Sequence, residues 1–357
     1  MKSIRQARSP RRRTPLRWPW WLPAVVALLG WPAVGLTTSA PPPTLANRDG
    51  NASADPADLL AQRTIQRLAL GDAFDAKLRQ RTWTRGREVV GIGRYEQSGG
   101  GSGRFSLEMT IHDGDARHEE RQISDGKLAW IRTQIADTVS LKRIDVGRVR
   151  EMNRSHQRGP AAHLTRRSSS LDAEVPVAPW LKIGGLAELI DRLADDFDLR
   201  LSRGKIEQTP VWILRGTITP DARQRILGDT SGSPLLPHEV RLAIRATGDE
   251  SGFGAGLPAR VEFWSRPTTT PASTSLVSNH PAQDDDPPAS DQASSALAID
   301  APSGRLISTL EIYAVRKIRP SPEQRFRFEP QENDVIFSDD TQRYIDRLTA
   351  RQADGNL

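Results

Sequence analysis

The densest group of chemistry-bearing side chains in this sequence is the stretch His112-Asp113-Gly114-Asp115-Ala116-Arg117-His118-Glu119-Glu120. Imidazoles beside several carboxylates are donors that could hold a divalent cation or serve a hydrolase. Asp113-Gly114-Asp115 reads as a turn, however, and strand alternation would send neighbouring candidates to opposite faces. A solvated hairpin tip is therefore expected, with no metal and no catalytic residues. The glycines of Ser98-Gly99-Gly100-Gly101-Ser102-Gly103 fail as a phosphate cradle, because a P-loop needs Gly-Lys-Ser/Thr opening a helix, and here Arg104 opens a strand pattern. No Gly-x-Ser-x-Gly elbow occurs, and Asp195-Asp196 and Asp339-Asp340 are merely adjacent in sequence. His156, His163, His238 and His280 stand singly, and Arg166-Arg167 is flanked by serines without the interleaved aromatics of a nucleic-acid site. The chain contains no cysteine, which excludes disulfides, thiolate metal sites, a cysteine nucleophile and a lipid-modified cysteine. The expectation is a protein that is not an enzyme, has no cofactor and binds no nucleic acid.

These residues must be carried by a sheet. Phe105, Leu107, Met109 and Ile111 alternate with Arg104, Ser106, Glu108, Thr110 and His112, the pattern of a strand with one apolar and one polar face. "REVVGIGRYEQ" precedes the glycines, which are thus expected to turn a hairpin. Asp125-Gly126 predicts a second hairpin, because a tight primed turn needs positive φ. "DTVSLKRIDVGRV" supplies a further strand, and "FDLRLSRG", "TPVWILRGTITP", "PHEVRLAIRA", "LPARVEFWSRP" and "GRLISTLEIYAVRKI" continue the series. Two helices are expected. One is capped by Asp58, with Ala61, Ile65, Leu68 and Ala69 on one face and Gly71 as its stop; the other presents Leu186, Leu189, Ile190, Leu193 and Phe197, with Glu188, Asp191, Arg192 and Asp195 opposite.

The net charge of +6 is uneven: residues 1–40 carry Lys2, Arg5, Arg8, Arg11, Arg12, Arg13 and Arg17 and no acid, leaving 43 basic against 44 acidic side chains. The apolar run Trp18 to Leu36 follows, then small residues and prolines. Residues 1–40 thus read as a secretory signal peptide or a retained N-terminal membrane anchor; Pro19, Pro23 and Pro32 favour cleavage, since each interrupts helical hydrogen bonding. A Pro/Ala-rich linker is expected at 41–57, a loop excursion at 151–180, a disordered insertion at 267–304 between neighbouring strands, and a C-terminal tail at 346–357.

Asp125-Gly126-Lys127-Leu128-Ala129-Trp130 resembles the central hairpin of the LolA-like periplasmic lipoprotein carriers and receptors. Phe326-Arg327-Phe328-Glu329-Pro330, followed by Val335 and Phe337, resembles that family's closing pattern, and Leu257-Pro258 before Val261 resembles the strand that precedes its last hairpin. Over residues 58–345 the resemblance implies an α+β fold, a strongly curved antiparallel sheet of about eleven strands forming an incomplete β-barrel closed by amphipathic helices. The 151–180 and 267–304 segments and Asn333-Asp334 depart from the family pattern. The residues agree with such an arrangement, since a one-sided sheet must hide its apolar face and the 186–197 stripe matches it. Phe105, Leu107, Met109, Ile111, Trp130, Leu186, Leu189, Ile190 and Leu193 are the candidate lining of an apolar hollow. The expected function is extracytoplasmic binding of a lipid, acyl chain or lipidated protein, in periplasm or cell envelope. The alternative is a membrane-anchored envelope scaffold with a fully packed core.

Overall fold

The computed structural model describes residues 55–84, 86–114, 116–157, 177–227, 236–267, 304–330 and 336–354. Its strands are β1 (Phe74–Thr84), β2 (Arg87–Gln97), β3 (Arg104–His112), β4 (Arg117–Asp125), β5 (Leu128–Ile135), β6 (Thr138–Asp145), β7 (Phe197–Ile206), β8 (Thr209–Ile218), β9 (Glu239–Arg245), β10 (Pro258–Trp264), β11 (Leu306–Lys317) and β12 (Ile336–Asp339). All belong to one open sheet of order β12-β6-β5-β4-β3-β2-β1-β11-β10-β9-β8-β7. Neighbours run antiparallel throughout except β12, which lies parallel to β6. The sheet is therefore two meanders joined where β1 meets β11. The sheet has twelve strands against the eleven or so expected; β1, at its middle, is a strand that the alternation reading did not single out.

The glycine-rich stretch is a hairpin turn. Gly99, Gly100, Gly101 and Gly103 all have positive φ, which only glycine adopts without strain, and the turn joins β2 to β3. Its amides also do a second task. Gly100 N–H donates to Gly71 O at 2.8 Å and Gly101 N–H to Ala69 O at 3.1 Å, satisfying carbonyls that a helix end leaves without partners. Gly126, at φ 84°, turns β4 into β5, with Asp125 Oδ1 accepting from Lys127 N and Leu128 N at 2.7 Å each.

The described helices are α1 (Pro56–Leu70), α2 (Val146–Gln157), α3 (Gly185–Asp196), α4 (Pro220–Leu227) and α5 (Thr341–Asp354). Helix α1 is capped by Asp55, whose side chain accepts from Ala57 N at 2.8 Å, and not by Asp58; Pro56 at the first helical position moves the start forward. Gly71 ends it as expected. The strand expected through Val149 stops at Asp145, whose Oδ1 accepts from Arg148 N at 2.8 Å and starts α2. Helix α2 and a 3₁₀ turn at Pro179–Lys182 thus occupy the flanks of the expected 151–180 excursion. Helix α5 carries regular structure past residue 345, where a tail was expected. The N-terminal signal or anchor, the linker through residue 54, the centre of the excursion and the 268–303 insertion lie outside the described residues. Among the described residues no helix is long and apolar enough to cross a membrane.

Candidate functional site: an apolar layer and a buried polar clamp

Strand parity and register decide which residues share a face. Phe105, Leu107, Met109 and Ile111 of β3 pair with Gln97, Tyr95, Gly93 and Gly91 of β2, so these side chains form one inner row. Helices α1 and α3 lie over that row. Phe105, Leu107, Met109, Ile111, Leu186, Leu189, Ile190 and Leu193 are all buried in a single cluster that also holds Ala61, Ile65 and Leu68 of α1 and Phe74 and Leu78 of β1. Eight of the nine candidates are therefore in one layer. Gly184 and Gly185 let the start of α3 press onto it, since a Cβ on Gly184 would sit 2.4 Å from Phe105 Cζ. At the rim, where α1, α3 and the glycine hairpin meet, a cavity of about 20 Å³ is lined by Leu68, Ala69, Tyr95, Phe105, Leu181 and Ala187 among others. That is about the room of one water molecule.

Trp130 does not belong to this layer. It pairs with Ile123 and Arg143, and parity puts it on the outer face of the sheet. There its ring packs on Phe328, with centroids 5.4 Å apart, and on Phe337, at 6.3 Å. Two of the three stretches that resemble the LolA-like pattern are thus in contact with each other: the indole of the central hairpin holds the closing segment on the outside of the sheet. Trp130 was expected in the lining of the hollow, whereas its alternation with the buried Ala129 and Ile131 sends it the other way.

A polar cluster adjoins the apolar layer, and sequence reading missed it. Glu188 and Asp191, expected on an exposed face of α3, are buried because α5 lies against them. Glu188 accepts from Gly184 N at 2.6 Å, Arg192 Nε at 2.8 Å and the Tyr344 hydroxyl at 2.8 Å. Asp191 takes Lys182 Nζ at 2.9 Å, and Arg347 Nη2 reaches Asp195 at 2.9 Å. Burial and the nearby Glu188 carboxylate push the Tyr344 hydroxyl pKa upward. On the sheet side, Gln122 Oε1 accepts from Gly185 N at 3.0 Å while its Nε2 donates to Glu120 Oε1 at 2.7 Å. Burial pushes the Glu120 carboxyl up to about 7 and the Lys142 ammonium down. The signal that could have revealed this cluster is parity: His118, Glu120, Gln122 and Ser124 occupy the inner positions of β4, opposite Ile111, Met109, Leu107 and Phe105. A polar inner row demands partners.

The His112–Glu120 stretch contains a hairpin turn between β3 and β4, but its second half is β4 itself, and His118 and Glu120 are buried there where a solvated tip was expected. His112 pairs with Arg117 and Ile111 with His118, so the two imidazoles face opposite sides. Ala136 N–H donates to His118 Nδ1 at 3.2 Å, which leaves Nε2 as donor to Asp113 Oδ2 at 3.1 Å. Among the described residues no three metal-ligating side chains converge.

No protein-family model matches the chain, and no curated protein does. Solved structures do match. A chain of the MucA/MucB complex of Pseudomonas aeruginosa aligns with 12% identity and a TM-score of 0.32 over 76% of this chain and 61% of that one. A LolA superfamily protein of Nitrosomonas europaea aligns with 14% identity and a TM-score of 0.26 over 77% and 99%. LprF of Mycobacterium bovis aligns with 11% identity and a TM-score of 0.30 over 74% and 97%. The chain is similar in structure to the LolA superfamily, at low identity. It spans about three fifths of the matched Pseudomonas chain. The inner layer and the clamped closing segment are the features on which any binding reading rests.

Proposed function

We propose that this chain is a non-enzymatic, extracytoplasmic binding protein that receives a lipid, acyl chain or lipidated protein between the inner face of its sheet and helices α1 and α3. In this reading the sheet is the curved wall of an incomplete barrel and the helices are its movable cover. The observation that carries it is the single apolar layer in which Phe105, Leu107, Met109 and Ile111 meet Leu186, Leu189, Ile190 and Leu193, with a small cavity of mixed polar and apolar lining at the glycine hairpin. An alkyl chain gains about 0.8 kcal/mol for each methylene it buries, but a cavity of about 20 Å³ cannot hold one. Entry therefore requires α3 to lift from β3, beginning at the rim lined by Leu181 and Ala187. The filled state of the layer favours the second reading, an envelope scaffold with a packed core.

Native mass spectrometry with lipid extraction, on protein taken from its own envelope and again after delipidation and exposure to lipid, separates the two. A bound lipid or acylated peptide in the native protein, absent from a folded Ala187→Trp variant, is the expected result. An apo mass under both conditions overturns the carrier reading and leaves the scaffold.

A further inference from the structure

On the face of the sheet opposite the apolar layer, β2, β3 and β4 carry a row of alternating charge. Arg94, Glu108 and Arg121 are register partners. Glu108 accepts from Arg94 Nε at 3.0 Å through one oxygen and pairs with Arg121 Nε at 3.2 Å through the other. In the next row Glu96 sits across from Ser106, and Arg325 of the closing segment reaches over to place its Nε 2.7 Å from Glu96 Oε2. These six side chains line a cavity of about 310 Å³, large enough for a small polar molecule.

Two facts about that cavity point to its occupant. Three guanidiniums face two carboxylates, and each arginine engages its carboxylate through Nε, so the Nη groups remain as planar, charged donors suited to the oxygens of a tetrahedral anion. Glu96 is only 7% exposed, and its Oε1 is buried with no hydrogen-bond partner. A buried carboxylate oxygen without a donor costs free energy, and a ligand hydroxyl would supply that donor. The geometry points to a binding site for a phosphate-type oxyanion that carries a neighbouring hydroxyl group, such as a glycerol phosphate, with Arg94, Arg121 and Arg325 holding the phosphate and Glu96 Oε1 accepting from the hydroxyl. The same chemistry occurs in a free phosphate ester and in a phospholipid headgroup. Because Arg325 belongs to the segment that Trp130 holds through Phe328, filling the site would also tighten the closing segment on the sheet. The site lies across the sheet from the apolar layer and does not depend on the binding proposed there.

The test is a titration of the full chain with glycerol 1-phosphate and with inorganic phosphate, followed through the amide resonances of Ser106 and Glu108. Saturable shifts are expected, with glycerol phosphate binding more tightly. Affinity should fall by about tenfold or more in an Arg121→Gln/Arg325→Gln variant, a loss of about 1.4 kcal/mol, and the preference for glycerol phosphate should vanish in Glu96→Ala. Ala187→Trp should change none of this, so failure here and failure of the acyl-binding reading are distinguishable. Retention on phosphatidylglycerol vesicles but not phosphatidylcholine vesicles, competed by glycerol phosphate, assigns the ligand to a headgroup; binding of the free ester without vesicle retention assigns it to a soluble ester. Absence of saturable shifts, or shifts of equal affinity in the folded double-arginine variant, overturns the proposal.

Discussion

Glu120 is a carboxyl group that burial holds protonated to about pH 7. The folded protein therefore keeps a proton that the unfolded chain releases in the ordinary carboxylate range, and stability must fall as pH rises between those two values. The size of the effect is on the order of 3 kcal/mol. Its neighbour Lys142 works with the opposite sign: burial lowers its pKa, so the folded state binds fewer protons there and gains stability as pH rises. The two are separable by substitution. Glu120→Gln, which retains an oxygen to accept from Gln122 Nε2, should be the more stable protein at about pH 8 and little changed at about pH 5. Urea midpoints at both values read this directly, and a Glu120→Gln curve parallel to the parent curve would show that the carboxyl is already ionised in the fold. Such a group lies at the junction of sheet, α3 and α5, where a change of charge bears on how firmly α3 is held.

At the level of elements, α3 serves two masters. Its apolar stripe lies on β3, and its acidic side is bound by α5 through Tyr344 and Arg347. Removing α5 by ending the chain after Asp340 takes the Tyr344 hydroxyl from Glu188 and the Arg347 guanidinium from Asp191 and Asp195, while Arg192 and Lys182 still pair with Glu188 and Asp191 and the apolar stripe of α3 stays on β3. A hydrogen bond to a charged group contributes about 1.5–3 kcal/mol, so amide exchange in α3 should accelerate while that in α1, tied to the glycine hairpin, changes little; equal protection of α3 in the shortened chain would show that α5 is not its clamp. The same pair of helices marks where sequence reading reached its limit. The stripe Leu186, Leu189, Ile190, Leu193 was legible because four apolar residues keep a helical period, and the β3 alternation was legible for the matching reason. Helix α5 was not, since Tyr344, Ile345 and Leu348 form too short a stripe among charges to stand out. Without α5 in view, Glu188 and Asp191 could only be read as solvent-facing. Strand β1 was overlooked because Gln80 and Thr82 take inner positions where apolar residues signal a strand, and Trp130 was grouped with the inner apolar residues by its type, against its own parity with Ala129 and Ile131.

For the whole molecule, the decisive join is β1 against β11, which turns two meanders, β1 to β6 and β7 to β11, into one sheet. Strand β11 also pairs with β10, so the residues between them connect two neighbouring strands of the sheet. The hairpin closes before the insertion begins. Ser265 N–H donates to Arg305 O at 2.9 Å, and Arg305 N–H returns a bond to Ser265 Oγ at 3.0 Å. The two ends are therefore already side by side, and a turn of a few residues suffices to connect them. Loop-closure entropy grows only slowly with length, by about 0.6 kcal/mol for each doubling, so replacing residues 268–303 with a short Asn-Gly turn should leave the sheet intact and raise stability by about 1–2 kcal/mol. Thermal unfolding of the shortened chain should remain a single cooperative transition at an equal or higher temperature. A broadened or lowered transition would mean that the segment supplies contacts the sheet needs. If the transition holds, the insertion is free to vary without cost to the β1–β11 join, and the lipid and phosphate-ester measurements on the shortened chain report on the two faces of the sheet alone.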